Sequence, residues 1–261
     1  MLDALHRAQR DELRGFVDSL PIAPGDRVLD VACGDGTFTS WLAERTGAGG
    51  LVVGLDACVP FLARASARLF GCPDLASSTL LMRGDANELP FPEGGFDLCL
   101  CAHSLQTLSD PVAALREMAR VTKRGGSVCV LENDELAHLF LPWPPEVDLA
   151  IDSGLTRAAA ERGDPRPFLG RRLGALLTSA GLLLRRFETL PVSRQGPLAP
   201  ADREYFVRFL ENRRAAVEPF LSGREREIAL AYLSPAGIRS LADDTRLTVA
   251  FVHVAAIAEK R

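Results

Sequence analysis

Between Arg27 and Glu132 short apolar runs alternate with amphipathic helical segments, and this alternation limits the folds open to the chain more than any other feature. The runs Arg27–Val31, Leu51–Leu55, Thr79–Arg83, Phe96–Ala102 and Ser127–Glu132 have the length of strands and few polar positions. Helical segments over Thr37–Thr46, Val59–Phe70 and Pro111–Val121 lie between them. The last of these begins at a proline and ends on Lys123-Arg124, residues suited to the two ends of a helix. Strands that alternate with helices form βαβ units, and a parallel sheet covered on both faces calls for aliphatic strands. Composition agrees: the chain has 13 Phe but 2 Tyr and 2 Trp, so its core is mainly aliphatic and stacking residues for nucleobases are scarce.

The second half of the chain changes character. Residues 133–169 contain Pro142-Trp143-Pro144-Pro145 and Asp164-Pro165-Arg166-Pro167, too many prolines for one long element. Gly170–Ala180 reads as a helix closed by Gly181, Leu182–Leu190 as a strand, and Pro191–Pro200 as a linker. Ala201–Leu233 places Tyr205, Phe206, Phe209, Leu210 and Val217 at helical spacing and reads as two helices split near Ser222-Gly223. Leu247–Ala258 is a final long strand. The expected organisation is a single domain over 1–261. It has an N-terminal helix within 1–20, a variable segment over 133–169, and a helical insertion over 191–245 acting as a lid or a dimer contact.

Charge and cysteine usage narrow the function. With 30 Lys+Arg against 34 Asp+Glu the net charge is −4, which argues against a nucleic-acid binder. Cys33, Cys58, Cys99, Cys101 and Cys129 lie in or beside apolar runs, and Cys72 sits in a turn-like Gly-Cys-Pro. No pair has the spacing of a zinc site, so reduced thiols and no metal are expected. No run reaches the roughly 18 apolar residues of a membrane span. The opening Met1-Leu2-Asp3-Ala4-Leu5-His6-Arg7 has no apolar signal core, and the cytoplasm is the expected compartment.

The segment Asp30-Val31-Ala32-Cys33-Gly34-Asp35-Gly36 follows a strand and opens a helix. Its glycines let the backbone approach a ligand, and the helix start supplies N–H groups. Asp56 ends the second strand, where a carboxylate can accept both hydroxyls of a ribose. A dinucleotide site wants a third glycine in this loop; Thr39 stands there instead, which leaves an NAD-dependent oxidoreductase as a third-ranked reading.

Val28 through Gly36 resembles the first motif of class I S-adenosylmethionine-dependent methyltransferases, of the type 11-like small-molecule group. Val53-Gly54-Leu55-Asp56 is similar to their second motif. Gly84-Asp85-Ala86-Asn87-Glu88-Leu89-Pro90-Phe91 resembles the adenine-flanking segment, and Phe96–Ala102 and Pro111–Glu132 resemble the elements that follow. The resemblance covers residues 20–135 well, and 170–190 and 247–259 more loosely. It implies a Rossmann-like α/β fold: a seven-stranded, mostly parallel sheet with an antiparallel last strand, helices on both faces, and a helical insertion before that strand. It implies S-adenosyl-L-methionine as cofactor and S-adenosyl-L-homocysteine as product. The Asp30, Ala32, Gly34 and Gly36 loop would cradle the methionine end. Asp56, with Ala57 beside it, would hold the ribose, and Asp85 and the Ala86 N–H would meet the adenine. Ala102 and His103 would line the cofactor and the methyl path. The family commonly has Gly where this chain has Ala32, a small change unless the position needs positive φ.

Methyl transfer is an in-line displacement, chiefly a problem of alignment, and a base is needed only where the acceptor must lose a proton. His103 and His138 are the candidate bases; the first could equally line the cofactor or cap a helix, the second could be a core histidine. Glu132, Asp134 and Glu135 follow the fifth strand and either orient the substrate or form a solvated loop. Phe140 and Trp143 either wall the acceptor pocket or pack on the sheet, while His6 and His253 look structural. Arg157 to Arg194 holds eight Arg against Glu161, Asp164 and Glu188, a cluster that could clamp an anion or simply be solvated. After the fourth strand the chain reads Ala102-His103-Ser104-Leu105, without the Asn-Pro-Pro-Tyr type motif used on planar amino groups. The expectation is methyl transfer to an oxygen, nitrogen or activated carbon of a small molecule of secondary metabolism, by a monomer or homodimer without nucleic-acid or membrane partners. The alternatives are an enzyme using the same cofactor without methyl transfer, or an inactive partner subunit.

Overall fold

The computed structural model describes residues 2–71 and 78–261, so the turn expected at Cys72 lies outside the described residues. Two short helices open the chain, α1 (Leu2–Ala8) and α2 (Arg10–Asp18), the second within the helix expected over 1–20. Then β1 (Arg27–Val31), α3 (Thr37–Thr46), β2 (Leu51–Asp56), α4 (Val59–Phe70), β3 (Thr79–Arg83) and β4 (Phe96–Ala102) alternate as the sequence pattern requires. They are followed by α5 (Pro111–Val121) and β5 (Thr122–Leu141). The Asp110 carboxylate caps α5, accepting the Val112 and Ala113 N–H groups at 3.0 Å, and Pro111 fills the first helical position, where its missing N–H costs nothing.

The seven strands form one sheet in the order β3-β2-β1-β4-β5-β7-β6, with β6 (Leu182–Gln195) and β7 (Thr248–Lys260) completing it. The β1–β2, β1–β4, β2–β3 and β4–β5 pairs are parallel, and the last strand is antiparallel. The order places successive crossovers outward to either side of β1, so the loops after β1 and β4 diverge at a topological switch point.

The chain divides into two compact units. One, the sheet unit, comprises Leu13–Asn133, Leu169–Leu190 and Val254–Arg261. Its strands bury alternate residues on opposite faces. Leu29, Val31, Val53, Cys99, Cys101 and Val130 pack with Ala114, Leu115 and Met118 of α5. Val28, Val52, Leu98, Leu100 and Leu131 pack with Leu13, Phe16 and Val17 of α2 and Phe38, Trp41 and Leu42 of α3. Both faces are therefore covered, which is why these strands carry almost no polar side chain until their C-terminal ends.

The other, the helical unit, comprises Met1–Glu12, Asp134–Phe168 and Pro191–His253. It holds α6 (Pro145–Arg162), α8 (Pro200–Val217), α9 (Gly223–Leu233) and α10 (Pro235–Ala242); α7 (Leu173–Ser179) belongs to the sheet unit. Its core gathers Phe140, Trp143, Val147, Tyr205, Phe206 and Phe251 with aliphatic neighbours. The prolines of 133–169 do not break this region into small pieces: Pro142, Pro144 and Pro145 precede or open α6 and Pro165 and Pro167 follow it, leaving 18 residues of uninterrupted helix. Residues 191–195, expected in a linker, continue β6, which ends the sheet; Pro191 is tolerated there because an edge strand need not donate every N–H. The helix break expected near Ser222-Gly223 is present between α8 and α9.

Candidate cofactor site

At the C-terminal edge of the parallel strands the side chains turn polar. Asp30 and Val31 end β1, Asp56 ends β2, Ala102 ends β4 and Glu132 lies beyond Leu131, the partner of Ala102 on β5. The loop between β1 and α3 is built by left-handed residues: Ala32 at φ 56°, Gly34 at 56° and Gly36 at 75°. Gly36 has a second reason to be glycine, since a Cβ there would stand 2.8 Å from the Ala65 Cβ of α4. Gly36 is also the N-cap of α3 and has no side chain to cap it; the Asp35 carboxylate accepts the Thr37 N–H at 3.1 Å.

Carboxylates hold this loop in place. Asp56 Oδ2 accepts the Gly34 N–H at 2.8 Å and Oδ1 accepts the Cys58 N–H at 2.8 Å. Each oxygen keeps a second lone pair, the pair needed to receive two vicinal hydroxyls. Asp35 accepts the Thr37 hydroxyl at 2.7 Å and the Arg68 guanidinium at 2.9 Å, so α4 braces the loop from behind. Asp30 is fully buried and accepts the Thr39 hydroxyl at 2.6 Å. Burial pushes its carboxyl up to about 7, the Thr39 hydrogen bond works against that rise, and the Asp56 and Asp35 charges add to it. Thr39, the residue that breaks the dinucleotide fingerprint, is thus the partner of Asp30. That mismatch leaves an NAD reading without its third glycine.

The remaining expected cofactor residues lie in the same unit. Asp85 is exposed and accepts the Asn87 N–H at 2.8 Å, forming a turn that buries Ala86 beside it. Ala57 is exposed after β2. Ala102 and His103 are buried after β4; the His103 N–H donates to the Leu131 carbonyl at 2.7 Å, and its ring meets Phe38 edge-on with centroids 6.1 Å apart. Glu132 has no exposed surface, and its two oxygens accept the Gln106 and Asn133 N–H groups at 3.3 Å. Burial raises its carboxyl to about 7.

The other expected residues belong to the helical unit. His138 Nδ1 faces Arg213 Nη2 at 3.1 Å. An arginine only donates, so Nδ1 accepts, and burial with the Arg213 charge holds the ring neutral down to about 3. That leaves His138 a poor base at neutral pH. Phe140 is 1% exposed and packs against the Trp143, Phe206 and Phe251 rings, so its side chain serves the core. Trp143 is buried against Tyr232, and its indole N–H has no hydrogen-bond partner among the described residues. His253 is buried on Gln9 at 2.5 Å, a structural contact.

Five arginines of the cluster between Arg157 and Arg194 are paired: Arg157 with Glu225, Arg166 with Asp164, Arg185 with Glu259, Arg186 with Glu188, and Arg194 with Glu12 and Asp202. Cys33, Cys99, Cys101 and Cys129 are buried thiols, Cys58 is exposed, and no metal-ligating cluster occurs among the described residues. No helix among the described residues is long and apolar enough to cross a membrane. The roles of Arg68, Ser104 and Arg213 escaped the sequence reading, because each acts across a distance in the chain that no local pattern marks.

Residues 29–130 match a methyltransferase domain family. A ubiquinone/menaquinone biosynthesis C-methyltransferase from Xanthomonas oryzae is 41% identical over 139 residues, which are 53% of this chain and 53% of that protein. A demethylmenaquinone methyltransferase from Bacillus cereus is 35% identical over 130 residues, 50% of this chain and 53% of that one. The chain thus matches about half the length of these curated relatives. Among solved structures, a SAM-dependent methyltransferase from Aquifex aeolicus aligns with a TM-score of 0.54 at 20% identity, covering 69% of this chain and 85% of that one. Sheet order, switch-point loop and family match agree: the fold is that of class I methyltransferases. Over residues 29–130 the chain is similar to the methyltransferase domain family, and the match supports S-adenosylmethionine as cofactor.

Proposed function

We propose that this protein methylates a small molecule whose accepting atom is an electron-rich ring carbon or its attached oxygen, using S-adenosylmethionine. The observation that carries the reading is the Asp56 carboxylate, fixed by the Gly34 and Cys58 N–H groups at the end of β2 with a lone pair left on each oxygen. The bound cofactor supplies a methyl group activated on a sulfonium. Asp56 with Ala57 beside it holds the ribose, Asp85 and Ala86 meet the adenine, and Asp30, Ala32, Gly34 and Gly36 shape the methionine end. Beyond Thr37, whose N–H is taken by Asp35, the first turn of α3 offers N–H groups to the cofactor carboxylate. Ala102 and His103 border the methyl path, and His103 takes the hydroxyl proton of an acceptor that must ionise. Within the helical unit, Trp143 keeps an unpartnered indole N–H that can meet a polar group. His138, Phe140 and Glu132 are occupied by the contacts described above.

The choice of acceptor class draws on the relatives named for ubiquinone/menaquinone biosynthesis and for demethylmenaquinone methylation, which support a quinone-like aromatic acceptor. A net charge of −4 suits neither a nucleic-acid acceptor nor an anionic membrane surface. The test is transfer of a labelled methyl group to a panel of hydroquinones, phenols, amines and carboxylates. Label in the ring or the phenolic oxygen supports the reading. Label confined to amines or carboxylates, or none in any acceptor by a protein that binds S-adenosylhomocysteine, overturns it.

A further inference from the structure

Among the described residues, Ala32 and His103 are the only non-glycine residues with positive φ, at 56° and 52°. Alanine has no side chain that favours this region, histidine adopts it more readily but still uncommonly, and such conformations persist where the surroundings support them. Ala32 follows β1 and His103 follows β4, the two strands that flank the switch point. Backbone bonds hold part of each turn, the His103 N–H to the Leu131 carbonyl at 2.7 Å and the Cys33 N–H to the Leu55 carbonyl at 3.0 Å, and two side chains add to them. The Ser104 hydroxyl lies 3.1 Å from the Ala32 carbonyl and 3.1 Å from the Ala102 carbonyl, so one proton is shared between the turn after β1 and the end of β4. On the other side the Glu132 carboxylate receives the Gln106 N–H at 3.3 Å and the Asn133 N–H at 3.3 Å, tying the segment after His103 to β5.

We infer that Ser104 and Glu132 are positioning residues that lock the turn at Ala32 and the turn at His103 into one rigid edge of the cofactor site. The inference rests on the reading of the Ala32–Gly36 loop as the cofactor cradle. Ser104 couples the two turns, and Glu132 supplies a fixed acceptor for the backbone that carries His103. Glu132 is fully buried, so its work is done on the protein backbone and not on a ligand. This also accounts for the alanine where the family commonly has glycine: a left-handed Ala32 is held by an external hydrogen bond to its carbonyl rather than by its own freedom.

The test is a double-mutant cycle on the full chain, read as S-adenosylhomocysteine affinity by calorimetry. Ser104→Ala is expected to weaken binding about tenfold, the loss of one modest hydrogen bond's positioning. Ala32→Gly alone is expected to change it less than about threefold, because glycine adopts the turn without help. Combined, the two are coupled: on the Ala32→Gly background, Ser104→Ala costs less than about threefold. Additive losses overturn the inference. Glu132→Gln keeps an oxygen for the Gln106 N–H and is expected to bind within about threefold of the wild type, whereas Glu132→Ala loses about tenfold; equal losses in both overturn the role given to Glu132. Urea unfolding of the same variants separates this inference from the cofactor reading. A wild type that fails to bind S-adenosylhomocysteine refutes that reading alone, and the same coupling between Ser104 and Ala32 must then appear in unfolding midpoints, its absence refuting the inference.

Discussion

Asp56 Oδ2 accepts the Gly34 N–H at 2.8 Å, so the residue that ends β2 fixes the loop that follows β1. The contact joins two neighbouring parallel strands at their C-terminal ends, where Val31 lies opposite Leu55. One carboxylate therefore shapes the loop with a lone pair on each oxygen, and in the proposed function it offers the others to a diol.

Removing that carboxylate should remove both tasks. Asp56→Ala is expected to weaken S-adenosylhomocysteine binding by about 100-fold or more, the loss of two hydrogen bonds to a charged group. Asp56→Asn, which keeps one acceptor oxygen, should fall between the variant and the wild type. Calorimetry decides; unchanged affinity in Asp56→Ala would remove Asp56 from the cofactor site.

Gly36 is required by both its backbone and its neighbour. Gly36→Ala forces a left-handed alanine and a methyl 2.8 Å from the Ala65 Cβ, and should destabilise the protein by about 2–5 kcal/mol. Adding Ala65→Gly removes the nearest contact but leaves the residue 65 Cα at 3.0 Å and the left-handed cost, so urea unfolding should show partial recovery. Full recovery would mean that the backbone at residue 36 is not strained.

Much of this arrangement is legible in the sequence, and what is not has a common cause. Asp30, Gly34, Gly36 and Asp56 can be read because a strand, a tight turn and a helix start impose residue types at fixed local spacing. Thr39 on Asp30 is nine positions away along the chain and shows only as a mismatch to another fingerprint. Arg68 reaches back to Asp35 across 33 residues, and Ser104 to Ala32 across 72, so no window holds both partners. The prolines around α6 misled in another way. Proline density signals a break, but only the position of each proline relative to the helix start decides whether it interrupts or frames the helix.

Asp30 gives the apo protein a pH signature. Its carboxyl rises from 3.8 to about 7 on folding, chiefly through burial, so the folded state binds more protons than the unfolded one between those values. Stability from this group is present below pH 3.8 and is lost as pH climbs through 7, at up to about 1.4 kcal/mol per pH unit. Asp30→Asn removes the dependence while leaving an oxygen for the Thr39 hydroxyl. Relative to the wild type, the variant should gain stability from pH 5 to pH 8 in urea unfolding. A difference that does not change over that range would show that Asp30 is ionised throughout.

The histidines of the helical unit run the opposite way. His138 is held down to about 3 and His253 to about 4, in both cases chiefly by burial, so the unfolded chain binds more protons below its ordinary value of 6.5. Their contribution is complete above pH 6.5 and is lost as pH falls towards those depressed values. Arg213 ties His138 into this state: its Nη1 donates to the Glu135 carbonyl at 2.7 Å, its Nη2 to His138 Nδ1, and its guanidinium lies 4.8 Å from the Phe209 ring centre. Arg213→Met keeps the apolar contact and removes both donations and the charge. It should cost about 3 kcal/mol and move the His138 titration upward, since burial remains but the repelling cation is gone. Histidine resonances followed by NMR from pH 4 to pH 8 give the measurement. In the wild type the His138 ring should stay neutral across that range; a His138 midpoint near 6.5 in the wild type, or no upward movement in the variant, would separate His138 from Arg213 and return it to the candidates for a catalytic base.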